Sequence, residues 1–273
     1  MKIINTLDPS IKPPVSILVY GMGGVGKTTF VSTAPKPILA DCENGAKFFG
    51  LRGISLDKVN IESWEDIRTF ASIISKNKDY ETVAIDPIGK LMDKLITETK
   101  KQGSRQYVAG NNLTMAGWGY VKEKMREVLD FFISSGKNVI LIAHVEEKTD
   151  TDSLIRRPKI ATKIAEEVIN MVDVTAWMTR VTDPETQEAK RVLLVSETDE
   201  RYVAKDRTGQ LGNVVEPNFS KIVSAIQGTE SFSWSKKEDV KHDTKEVEQE
   251  QELDEKITIE EINYDEIDSE LNK

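Results

Sequence analysis

The chain is poor in cysteine, in long apolar runs and in net positive charge, and each shortage excludes something. One cysteine among 273 residues, Cys42, cannot close an intrachain disulfide, so neither a disulfide-stapled secreted scaffold nor a zinc cluster built on several cysteines fits. No run approaches the ~18 consecutive apolar residues of a membrane span. The opening MKIINTLDPSIKPP lacks the apolar centre of a signal peptide. The expected location is the cytoplasm, with no membrane partner. Basic residues number 37 against 46 acidic, a formal charge of −9. That deficit is local: residues 229–273 carry 16 acidic and 6 basic side chains, leaving 30 acidic and 31 basic in residues 1–228. The acidity therefore says nothing against a nucleic-acid partner for the part long enough to bury a core.

What is present is an alternation. Short apolar runs at Val15–Tyr20, Pro37–Ala40, Thr82–Ile85 and Asn138–Ala143 read as buried strands, and each ends at glycine or a polar residue. Helical periodicity fills Ser63–Ser75, Ile88–Thr99 and Ala116–Ile133. This order predicts an α/β fold with a mostly parallel central sheet and helices on both faces. Beyond His144, runs at Asp173–Thr179, Arg191–Ser196 and Tyr202–Ala204, with a turn at Asp183–Thr186, read as antiparallel strands extending the sheet. Asn218 caps a last helix through Ile226. The expected organisation is an N-terminal extension over 1–14, a core over 15–228 and a disordered acidic tail over 229–273.

Gly21-Met22-Gly23-Gly24-Val25-Gly26-Lys27-Thr28, followed by Thr29, fulfils the P-loop pattern between a strand and a helix. Glycines let the backbone N–H groups wrap phosphates, Lys27 reaches the β/γ-phosphates and the Thr28 hydroxyl ligates Mg²⁺, so ATP and Mg²⁺ are the expected ligands. Asp86, at the end of a buried strand, has the setting of a Walker B carboxylate that holds the metal; its alternative is an N-cap for the helix from Ile88. Glu43, just past the strand ending at Asp41, is a candidate to position or deprotonate the attacking water, or else part of a solvated loop.

The order of these parts resembles the RecA-like ATPases. That resemblance implies Glu43 as catalytic glutamate, His144 as γ-phosphate sensor, and two DNA-binding loops over Lys100–Met115 and Val145–Thr162. The single-stranded-DNA candidates are Lys100, Lys101, Arg105 and Tyr107 in the first loop, and Lys148, Arg156, Arg157, Lys159 and Lys163 in or just after the second, cations for a backbone track with one aromatic for stacking. The segment YVAKDRTG is similar to the element with which RecA-type proteins reach a neighbour's nucleotide. This would make the chain a homo-oligomer with Lys205 and Arg207 acting in trans; the alternative is a basic hairpin edge. Within the superfamily the likeness is to short phage nucleotide-binding proteins of AAA type, including single-strand annealing proteins of the Sak-four kind. It runs from Val15 to Ile226 and implies slow ATP hydrolysis, single-stranded DNA binding and annealing or recombination, in the host cytoplasm if phage-encoded. His144 stands where RecA has glutamine, and Pro87 follows Asp86, both departures from the pattern. The acidic tail is a candidate docking segment for a single-strand-binding or replication protein. Rival readings are a ParA-like switch, whose early P-loop lysine is here Met22, an adaptor, and a P-loop kinase of small molecules.

Overall fold

The computed structural model describes residues 11–150, 153–182, 187–196 and 200–229. The chain enters the sheet on β1 (Ser16–Gly21), every residue of which is buried. Its side chains alternate between two cores: Leu18 and Tyr20 face one, Ile17 and Val19 the other. Gly26, at φ 113°, makes the left-handed turn into α1 (Lys27–Val31). Two strands follow, β2 (Pro37–Asp41) and β3 (Asp57–Asn60), the second absent from the sequence reading because its residues DKVN are mostly exposed. Then come α2 (Trp64–Ile74), β4 (Thr82–Asp86) and α3 (Ile88–Gln102). α2 starts at a capping box: the Ser63 hydroxyl accepts from Asp66 N–H (3.2 Å) and the Asp66 carboxylate accepts from Ser63 N–H (2.8 Å). Trp64, Ile67, Phe70, Ala71 and Ile74 form its buried face.

The expected first loop is shorter than drawn. Lys100 and Lys101 close α3, and a small hairpin, β5 (Val108–Ala109) and β6 (Asn112–Leu113), fills the remainder before α4 (Met115–Ile133). The expected second loop is not a loop. β7 (Asn138–Asp150) continues past His144 and pairs back with β8 (Ser153–Pro158) as an antiparallel hairpin, leading to α5 (Thr162–Met171). β9 (Val174–Thr182) corrects the reading of an antiparallel strand: it runs parallel to β1, with Ile17 opposite Val174. A helical crossover through α5 precedes it, and such a connection returns the chain in the same direction. The strands added beyond β9 pair antiparallel: β10 (Ala189–Leu194) and β11 (Lys205–Asp206) with β9, and β12 (Val214–Val215) with β10. α6 (Phe219–Ile226) ends the fold, with the Asn218 side chain accepting from Lys221 N–H (3.1 Å). The turn at Asp183–Thr186 and the acidic stretch 230–273 lie outside the described residues.

The main sheet has the order β12-β10-β9-β1-β7-β4-β2-β3. In this order β7 lies between the P-loop strand β1 and the carboxylate-bearing strand β4. Residues of α2, α3, α4 and α5 cover one face, those of α1 and α6 the other. Among the described residues no helix is long and apolar enough to cross a membrane. α4 rests against the small hairpin through Gly117, where a Cβ would collide with the Tyr107 carbonyl. Gly117→Ala is expected to lower stability by about 1–3 kcal/mol, as overpacking does. Denaturant unfolding checks this, and a change under 0.5 kcal/mol would refute it.

Candidate active site

The site forms along one edge of the parallel sheet, where β1, β2 and β4 end and β7 continues outward. Gly21 of β1 is in register with His144 of β7, and Asp41 of β2 with Asp86 of β4. Around this edge a cavity of about 250 Å³ is lined by Gly23, Gly24, Gly26, Lys27, Thr28, Thr29, Glu43, Asp86, His144 and Arg191, among others. The P-loop residues, Glu43, Asp86 and His144, spread over 124 positions in sequence, thus share one cavity; Gly21, Met22 and Val25 shape the loop.

Lys27 is buried, and its ammonium donates to the carbonyls of Gly21 and Met22, 2.8 Å each. Burial lowers its pKa, against the opposing pull of Asp86 and Glu43. Among the described residues, no acceptor takes the N–H groups of Gly23, Gly24, Gly26, Lys27 or Thr28. A row of free amides on a buried cation is what polyphosphate requires. The Thr28 hydroxyl donates to Asp86 Oδ2 at 2.5 Å, whereas the N-cap position of α3 is Pro87, which removes the capping alternative for Asp86. A hydroxyl beside a carboxylate is a hard-oxygen pair suited to Mg²⁺, which completes its shell with phosphate and water. Among the described residues no group of three or more His, Cys, Asp or Glu is placed to hold a metal ion.

Glu43 and His144 meet across the cavity, with His144 Nε2 to Glu43 Oε2 at 3.2 Å and both partly exposed. The loop that carries Glu43 is fixed by a residue to which sequence reasoning gave no role. Asp41 is buried and accepts from Gly45 N–H (2.9 Å), Ala46 N–H (3.2 Å) and Lys58 Nζ (3.0 Å). Burial works to raise its pKa, but these partners prevail and hold its carboxyl below the ordinary value. Cys42 beside it is buried, and burial pushes its thiol up to about 12, which removes it from nucleophilic chemistry.

The remaining expected residues distribute unevenly. Arg156 and Arg157 on β8 face acids across the hairpin: Arg156 Nε lies 3.1 Å from Glu147 and Arg157 Nε lies 3.0 Å from Glu146. Arg156 also lies over the Trp177 ring, 4.9 Å from its centroid. The register opposes each of these two arginines to a glutamate. Tyr107 is likewise not a free platform, since it stacks on Tyr120 with ring centroids 4.8 Å apart. Trp118, 44% exposed in the first turn of α4, is the aromatic that the sequence reading missed, having ended the loop three residues earlier. Lys100, Lys101, Arg105, Lys148, Lys159 and Lys163 are exposed. Lys205 and Arg207 lie at the opposite end of the sheet. Lys205 Nζ donates to the carbonyl of Ile169, and Arg207 Nη2 to that of Asn170 (2.6 Å), so both hold the C-terminal turn of α5.

A family model described as an AAA domain matches residues 13–208. Among solved structures, the chain is similar to a KaiC-like protein from the hyperthermophilic archaeon Pyrococcus horikoshii OT3. Identity is 15%, coverage 67% of this chain and 78% of that one, and the TM-score 0.36. It is also similar to an ATPase from the type III secretion system of pathogenic bacteria, at 15% identity, with 61% of this chain and 51% of that chain covered and a TM-score of 0.43. The chain thus spans about half the length of the secretion ATPase. No curated protein sequence matches the chain.

Burial is the main cause that pushes Asp86 up to about 6, only partly offset by the Thr28 hydroxyl and the charge of Lys27. The folded chain therefore holds a proton there that the unfolded chain releases near pH 4, and stability falls as pH rises through 6. Asp86→Asn is expected to raise the thermal midpoint of the ligand-free protein at pH 7.5, relieving about 1–3 kcal/mol of buried charge. The gain should shrink as pH is lowered towards 4, while Mg²⁺-dependent ATP hydrolysis is lost. A lowered midpoint at pH 7.5 in thermal denaturation would contradict this.

Proposed function

The chain belongs to the AAA domain family, as a RecA-like P-loop ATPase that uses ATP and Mg²⁺, and from that membership we propose that it binds single-stranded DNA under nucleotide control and promotes annealing or recombination in a phage or prophage setting. One observation carries the reading. His144 lines both the nucleotide cavity and a second groove of about 380 Å³, whose wall carries Lys90, Lys148 and Lys159 beside Asp93 and the Arg157–Glu146 pair. The groove lies between α3 and the β7–β8 hairpin, and the Lys159 N–H donates to the His144 carbonyl at 2.8 Å. A change of charge at the Glu43–His144 pair has a short path to a cationic groove.

In this reading Lys27 and Thr28 hold nucleotide and Mg²⁺, Asp86 supports the metal, Glu43 orients the attacking water and His144 reports the γ-phosphate. Bound Mg²⁺ neutralises phosphate charge. Lys148, Lys159 and Lys163, with Lys100, Lys101 and Arg105 on the other segment, supply the backbone track, and Trp118 a surface for stacking. Arg156 and Arg157 brace the hairpin. Lys205 and Arg207 lie far from their own P-loop, so a role in hydrolysis is a role at a neighbouring subunit in a homo-oligomer. The tail is the docking segment for a single-strand-binding or replication protein.

ATPase rates with and without single-stranded DNA test this for the wild type, Lys27→Ala, Glu43→Gln and Lys148→Glu/Lys159→Glu. Lys27→Ala should lose nucleotide binding, and Glu43→Gln should bind ATP yet turn over at least about 100-fold more slowly. The double charge reversal should retain basal hydrolysis while losing DNA binding and stimulation. Absence of DNA binding by the folded wild type at low salt would overturn the DNA reading. Phosphoryl transfer to an added acceptor would replace it with a kinase.

A further inference from the structure

β9 and β10 bring a second pair of cations to the nucleotide cavity. Arg180 and Arg191 are directly opposite each other in the antiparallel register. Both point to the face that carries α1, because Met178 and Leu193, two residues away on their strands, are buried in that core. Arg180 Nη2 donates to the Gly24 carbonyl at 3.3 Å. Arg191 lies along the P-loop: a Cβ on Gly26 would be 3.3 Å from its Cδ and 3.4 Å from its Nε.

Like charges directly opposite on one face of a sheet are destabilising. Among the described residues neither arginine has a carboxylate partner, although 46 acidic residues are available in the chain. The contrast with Arg156 and Arg157 is direct, since those two are each matched to a glutamate across their hairpin. A cation pair left without acids, held against a loop of free amides, suits a polyanion. Arg191 stands at the wall of the nucleotide cavity itself.

We propose that Arg191, supported by Arg180, is a phosphate ligand for the nucleotide bound in its own chain. The intrachain guanidinium neutralises polyphosphate charge from the side of the loop opposite Asp86. Its planar fork makes two parallel hydrogen bonds to phosphate oxygens, which an ammonium cannot. The inference is independent of the DNA reading and of any role for Lys205 and Arg207.

Calorimetric titration with inorganic triphosphate and with ATP tests it in the full-length chain. Arg191→Ala should weaken binding of both by at least about tenfold, Arg191→Lys should restore part of the loss, and Arg180→Ala should fall between. Without ligand, the thermal midpoint of Arg191→Ala should be unchanged or higher, because a like-charge contact is removed. Mixing equal amounts of Arg191→Ala and Lys27→Ala chains distinguishes cis from trans. No recovery of hydrolysis is expected, since each chain then lacks a part of its own site. Wild-type triphosphate affinity in Arg191→Ala, recovery on mixing, or a lowered midpoint with unchanged affinity would each overturn the proposal.

Discussion

The register of the parallel ladder is the constraint on which the site depends. Gly21 opposite His144 and Met178, and Asp41 opposite Asp86, bring five strands to one edge. A one-residue slip would turn the alternate residues of a strand to the wrong core, so burial on both faces fixes the register and the register fixes the chemistry. Two neighbouring carboxylates emerge from it with opposite characters. Asp41 meets an ammonium and two amides and is held ionised, which secures the loop bearing Glu43. Asp86 meets one hydroxyl in a dry setting and keeps its affinity for a cation.

Cations in this protein sort by whether an acid stands opposite. On the β7–β8 hairpin, Arg156 and Arg157 are matched residue for residue with Glu147 and Glu146, and their charge is spent inside the fold. Lys205 and Arg207 satisfy carbonyls at the end of α5, where cations suit the helix dipole. Lys148 and Lys159 are exposed along the groove that His144 shares, and Arg180 and Arg191 face the P-loop. A count of basic residues in a segment therefore overstates what that segment offers to a polyanion.

Much of the fold was legible because its signals are local. The strands carrying Gly21, Asp86 and His144, and the helices from Ser63, Ile88 and Ala116, show their period or cap in the residues themselves. The P-loop is a contiguous pattern, and so its site could be assembled from sequence. The β3 strand was not legible, because its DKVN residues bury little. The direction of β9 depends on α5 (Thr162–Met171), for which the sequence reading has no element. Arg191 carries no local signal at all: its role follows from being opposite Arg180 and across from Gly26, facts of pairing rather than of spacing. The stacking of Tyr107 on Tyr120 was not legible for the same reason, since Tyr120 sits inside the next element.

β7 contributes six residues to the buried ladder and then leaves the body of the sheet to form the hairpin with β8. One strand thus belongs to two regimes. Its first half is buried on both faces, and its second half passes through the half-buried Val145 and Glu146 to the exposed Glu147 and Lys148. At its base the hairpin still touches the ladder, the Tyr20 hydroxyl donating to the Arg156 carbonyl at 3.0 Å and the Arg156 guanidinium lying over the Trp177 ring. A single strand thus carries both a residue of the nucleotide cavity, His144, and the wall of the neighbouring groove.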